Sequence, residues 1–474
     1  MSTDLDAKLK GTGTRFRLFA QSPSLSAYQE PELVWVSSPA GGLRPGPCDA
    51  RMEVLDALDK PPYDDALVPP WRGPVQAAAE PDAAGNFDHH PIGSRAFNAA
   101  HMFGAIRRVL DIWEDYFEAE INVLSLLEPP GQRLELIPLV ELDRNAQTGP
   151  GYIETGYTRD PDGRVQPLCL NLDVLAHEVG HRIVFAKVGI PFNALTAEFL
   201  GFAESASDLV ALVTALHFDN LVDRVLESSG GNLYVLNELN RFAELSDNDQ
   251  IRIASNSKRM SDVVDVATPW YLLTQPELHE LGEPLTGALF DIFVDLYQSE
   301  LVARGAIPAD LAEEAWRAPT RPLNYEGVQA RFDRAYADHP AAFRTALLAA
   351  RDALGRRLAQ TWTRLQPDWL TFREVAIAFL SADRALTGWR YQDDIVENFA
   401  WRQIGEARPL GPAAPLMGEA ALRALVRRQL CARSASDWRQ QRRARAHVPP
   451  AGTATRQEPE VATVTKLPQG RELV

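Results

Sequence analysis

Asp173-Val174-Leu175-Ala176-His177-Glu178-Val179-Gly180-His181 is the stretch whose reading decides the rest of the chain. At 3.6 residues per turn, histidines four apart stand on one face of a helix, the geometry that a zinc ion needs from two of its protein ligands. Glu178 falls about 100° further round the same helix. It is no third ligand from that face, but it can reach a water held beside the ion. Gly189 and Pro191 mark the stop, since glycine tolerates a left-handed cap and proline cannot continue the ladder.

Two histidines need a third ligand, and the next periodic stretch offers one. Phe199, Phe202, Leu209, Leu212 and Val213 recur at helical spacing, so a second helix is expected from Thr196 to about Leu216. Glu204 and Asp208 lie four apart on one of its faces. Glu204 is the candidate metal ligand, and Asp208 the candidate acceptor for the free ring N–H of a ligating histidine, fixing its tautomer. A helical carboxylate is ordinarily a solvated surface group. Asp208, however, stands between Ser207 and an apolar run.

Length and composition set the outer limits. A chain of 474 residues, 45% hydrophobic, can bury two or three cores, so two lobes with extensions are expected. A net charge of −16 argues against general nucleic-acid binding and against an anionic membrane as partner. Cys48, Cys169 and Cys431 are odd in number and far apart, which gives no disulfide framework. The first residues lack an apolar leader and no run of 18 apolar residues occurs, so a soluble protein made and kept in the cytoplasm is expected, with a non-classical export route left open. Oligomeric state is not legible.

Residues 1–84 are rich in proline and glycine and read as an extension lying over a folded body, with short strands at Phe16-Arg17-Leu18-Phe19 and Leu33-Val34-Trp35-Val36. A second reading makes this extension a plug over a cleft. From Ser94 to about Phe117, Phe97, Phe103, Ile106, Leu110, Trp113 and Phe117 give an amphipathic helix, with His101 at the edge of its core face. Strand-like segments follow at 134–140, 144–147 and 151–157, and Gln166 to Leu172 reads as the last strand, with Cys169 an apolar filler. Pro284 suits the first turn of a helix striped by Leu285, Leu289, Ile292, Phe293 and Leu296. An arginine-rich helix at 418–446 and a disordered tail end the chain.

The D-V-L-A-H-E-V-G-H stretch followed by E-S-A-S-D resembles the gluzincin metallopeptidases, in particular the thermolysin-like and fungalysin-like neutral proteases, over about 85–408. The resemblance implies an α+β fold in two lobes. An N-terminal catalytic lobe, 85–190, would carry a β-sheet and the HExxH helix, and a mainly helical C-terminal lobe, 191–408, would face it across a cleft, leaving 409–474 as the tail. It implies one Zn²⁺ on His177, His181 and Glu204, Glu178 as general base, and peptide or protein substrates. Asn145-Ala146 resembles the edge-strand dipeptide that binds substrate backbone in that family, although turn chemistry beside Gly149 and Gly151 reads equally well. Arg259, or Lys258 one residue earlier, resembles an arginine supporting the substrate carbonyl. His279, in an H-x-x-G pattern, resembles the histidine that donates to the oxyanion, in the turn before the helix at Pro284.

This chain also departs from the family. No tyrosine lies between Arg182 and Ala203, where thermolysin-like enzymes carry one that helps bind the oxyanion. Asp173 fits the family's calcium cluster, but the position one helix further on is Ala215, so zinc without structural calcium is expected and Asp173 is left as a supporting carboxylate. Against the peptidase stands a protein that keeps the zinc site as a binding or scaffold module.

Overall fold

The computed structural model describes residues 5–64, 66–124, 132–159, 163–235, 237–242, 252–317 and 325–405. The arginine-rich helix and tail expected beyond 409 lie outside them. The fold is mixed α+β, a small sheet followed by a predominantly helical remainder.

The chain opens with the short helix α1 (Leu5–Leu9) and an antiparallel hairpin of β1 (Gly13–Leu18) and β2 (Glu32–Pro39). Phe16, Leu18, Val34 and Val36 alternate into the core, where they meet α2 (Arg95–Phe117), begun by the Ser94 side chain. Gly104 makes that contact close: a Cβ there would stand 2.7 Å from the Phe16 ring. The described part of the N-terminal stretch, 5–64 and 66–84, is thus more than an overlay on the body, because its alternating apolar residues complete the core.

The four-stranded sheet has the order β3 (Met52–Val54), β4 (Leu134–Ile137), β6 (Tyr152–Thr155) and β5 (Ala146–Gly149). The β3/β4 and β4/β6 pairs are parallel, and β5 returns antiparallel as an edge strand. The period-2 pleat divides its residues. Leu134, Leu136 and Ile153 face the helices, whereas Ile137 and Tyr152 face a small second core built with Ala57, Tyr63 and Trp71. On that second face Lys60, fully buried, pairs with Glu154 at 2.6 Å, which fastens the N-terminal stretch to the sheet.

Strands β7 (Tyr157–Arg159) and β8 (Val165–Pro167) form a two-stranded ribbon. The strand expected from Gln166 to Leu172 stops at Pro167 and turns through a 3₁₀ segment, Leu168–Leu170. The reason lies in Asn171, whose side chain accepts from the N–H groups of Asp173 and Val174 and so caps α3 (Leu172–Lys187). Cys169 is buried, and its carbonyl bonds His101 Nδ1 at 2.8 Å. His101 is fully buried rather than at the core edge, its Nε2 accepting from the Phe19 N–H at 3.0 Å.

Helices then dominate: α4 (Ala197–Ala215, capped by Thr196), α5 (Asp219–Ser229), α6 (Gln275–Ala303), α7 (Ala309–Arg317), α8 (Tyr325–Asp338), α9 (Pro340–Trp362), α10 (Phe372–Thr387) and α11 (Gln392–Trp401). The helix expected to start at Pro284 starts nine residues earlier. Thr274 and Glu277 form a capping box, Pro276 occupies the first turn, and Pro284 lies inside the helix. Among the described residues no single helix is long and apolar enough to cross a membrane.

Candidate metal centre

Helix α3 places His177 and His181 one turn apart with their rings perpendicular, centroids 4.8 Å and Nε2 atoms 3.1 Å from each other. Helix α4 crosses α3 closely, because Gly180 leaves room: a Cβ there would stand 2.6 Å from the Ser207 Cα. That crossing brings Glu204 to the histidines, Oε2 at 3.5 Å from His177 Nε2 and Oε1 at 3.8 Å from His181 Nε2. All three side chains are buried, and their donor atoms lie within 4.8 Å of one another.

These spacings fit a single ion. Ligand atoms about 2.0–2.1 Å from a tetrahedral zinc stand about 3.3–3.4 Å apart, and the histidine separation of 3.1 Å and the nearest carboxylate approaches, 3.5 Å from Oε2 and 3.8 Å from Oε1, lie on either side of that value. Two imidazoles and one carboxylate are also the donor chemistry that zinc takes when a fourth position is kept open.

Asp208 Oδ1 lies 2.9 Å from His177 Nδ1. The proton that this contact requires on Nδ1 leaves the lone pair on Nε2, toward Glu204 and His181. Burial by itself would raise the Glu204 carboxyl, but His279 and His181 beside it, with a hydrogen bond from His279, hold it well below the usual carboxylate range. The third candidate ligand is therefore held as an anion.

Glu178 is buried on α3 next to His177. Asp173 is buried in the first turn of α3, one turn before His177. His279 stands on α6, not in a preceding turn, with Nε2 2.9 Å from Glu204 Oε2 and its side chain 27% exposed. Asn145 immediately precedes β5, its carbonyl accepting from the Gly156 N–H, and Ala146 begins that strand, packed on Val174 of α3. Arg259 is not gathered here: its guanidinium lies over the Trp401 ring at 4.6 Å.

Sequence reasoning passed over Arg182. It is buried directly after His181 and bonds Thr148 Oγ1 at 3.0 Å and the carbonyls of Gly149, Tyr152 and Val123. Arg182 thereby ties the end of the edge hairpin to the histidine helix. Its only sequence signal was an arginine inside an otherwise apolar run, Ile183-Val184-Phe185 following it.

No protein-family model and no curated protein matches the chain. Among solved structures it is similar to the precursor of protealysin, a metalloproteinase from Serratia proteamaculans, at 12% identity and a TM-score of 0.40, covering 77% of this chain and 89% of that one. A likeness so low says nothing about function.

Proposed function

We propose that the protein is a zinc-dependent metallopeptidase of the thermolysin-like, two-lobed kind, hydrolysing peptide bonds within polypeptide chains. The observation that carries this reading is the convergence of His177 Nε2, His181 Nε2 and a Glu204 carboxylate oxygen from two helices, with Glu178 beside them on the histidine helix. His177, His181 and Glu204 would hold the ion, which supplies Lewis acidity toward a water molecule and a substrate carbonyl.

The remaining chemistry belongs to the chain. Asp208 keeps His177 in the tautomer that ligates. Glu178 accepts the proton of the attacking water and returns it to the leaving amine, the work of a general base that then acts as acid. Strand β5, entered from Asn145 and Ala146 at the edge of the sheet, is the element along which an extended peptide would lie, with Arg182 holding that strand in place. No calcium enters the proposal.

A second reading, a zinc-bearing binding module with little hydrolysis, draws on the absence of a tyrosine between Arg182 and Ala203 and on the near-complete burial of the ligands. Wild type and Glu178→Gln, assayed on unfolded casein with zinc measured in both, separate the two. Cleavage by wild type, falling about 10²–10⁴-fold in Glu178→Gln with zinc retained, supports the peptidase. Zinc in both and cleavage by neither supports the module.

A further inference from the structure

Helices α4 and α6 meet backbone to backbone. A Cβ on Gly282 would stand 2.7 Å from the Gly201 carbonyl oxygen, and one on Gly201 would stand 3.2 Å from the Gly282 nitrogen. Three residues onward along α4 comes Glu204, and three residues back along α6 comes His279. The glycine contact therefore sets these two side chains against each other, and His279 Nε2 meets Glu204 Oε2 at 2.9 Å. The Cβ missing from Gly282 would also lie 3.5 Å from the Glu204 Cβ, so the same crossing fixes the stem of the carboxylate.

Resemblance assigned His279 to an oxyanion, but here the nitrogen needed for that role is engaged by the metal-ligand carboxylate. We propose that His279 is a positioning residue for Glu204: it donates to Oε2 and leaves Oε1 as the oxygen offered to the cation. The consequence is a single-oxygen ligand. A carboxylate using both oxygens would occupy the position that a three-ligand zinc site must keep open for water. His279 thereby holds the coordination number down, and the Gly201–Gly282 contact holds His279. This inference rests on the metal reading proposed above.

The test uses the full chain loaded with zinc, and separately with Co²⁺ as a spectroscopic stand-in. His279→Leu removes the donor, His279→Gln returns an N–H at a similar reach, and His279→Met serves as the second donor-lacking variant should His279→Leu fail to fold. Zinc affinity is read by competition with a chelator, and Co²⁺ coordination by its visible absorption. The expected result is a 10- to 100-fold loss of zinc affinity in His279→Leu, the size usual for removing a group that orients a metal ligand. A changed Co²⁺ spectrum should accompany it, and both should recover in His279→Gln. Unchanged affinity and spectrum in His279→Leu, with only turnover reduced, would overturn the positioning role and return His279 to the oxyanion. Wild type that takes up neither zinc nor Co²⁺ would overturn the metal reading itself.

Discussion

Asp208 on α4 and His177 on α3 meet at 2.9 Å through Oδ1 and Nδ1, so a carboxylate on one helix sets the proton position of an imidazole on the other. Removing that acceptor frees the ring to rotate and to change tautomer. Asp208→Ala should weaken zinc binding about 10- to 100-fold. Asp208→Asn, whose amide oxygen still accepts from Nδ1–H, should lose less, both read by chelator competition. Equal affinity in all three proteins would remove Asp208 from the site.

Gly180 faces the Ser207 Cα, and a methyl group placed there would lie 2.6 Å from it. Gly180→Ala should force α3 and α4 apart and cost about 1–3 kcal/mol in urea unfolding, the range for overpacking. Metal binding should weaken with it, since the histidines and Glu204 sit on opposite sides of that crossing. Adding Ser207→Gly should restore little, because the clash is with backbone.

Lys60 and Glu154 are both fully buried, and Glu154 also accepts from the Tyr63 N–H at 2.7 Å and from Gln147 Nε2 at 2.5 Å. Burial pushes the Glu154 carboxyl up and the Lys60 amine down, each opposed by the other's charge. Lys60→Met alone strands a buried acid and should cost about 3–5 kcal/mol, whereas Lys60→Met with Glu154→Gln should cost clearly less than the sum of the two single changes. Simple additivity in urea unfolding would mean that the pair is not coupled.

His101 gives stability a pH dependence of known sign. Burial, only partly offset by the Cys169 carbonyl, lowers its pKa to about 4, against about 6.5 in an unfolded chain. The unfolded state therefore binds the extra proton first, so the contribution is intact above about pH 6.5, is lost as pH falls toward 4 and levels off below it. The loss approaches about 3 kcal/mol at the low end. In His101→Gln the stability lost between pH 7 and 4 should be smaller than in wild type by about that amount, and parallel slopes would refute the assignment.

The helices of the site were legible because their signals are local. Histidines four apart with Gly189 and Pro191 behind them describe α3, and the apolar spacing between Phe199 and Val213 already describes α4, whereas the Asn171 cap was read as part of a strand. The capping box of Thr274 and Glu277 is equally local but was not read, and Pro284, taken for a helix start, is carried in the interior of a long packed helix. The place of residues 1–84 was hidden for another reason. Proline and glycine content reports how a chain bends, not what its intervening Phe16, Leu18, Val34 and Val36 pack against.

By itself the sequence determined which residues share a helical face, because a fixed rise and turn make His177 with His181, and Glu204 with Asp208, neighbours whatever the rest of the chain does. Only the tertiary structure decided that those two faces meet, that His279 reaches Glu204 and that Arg259 turns to Trp401 instead. Such meetings depend on how closely two backbones approach, and here that was set by what Gly180, Gly201 and Gly282 lack, a side chain at a crossing point that no periodicity along the chain announces.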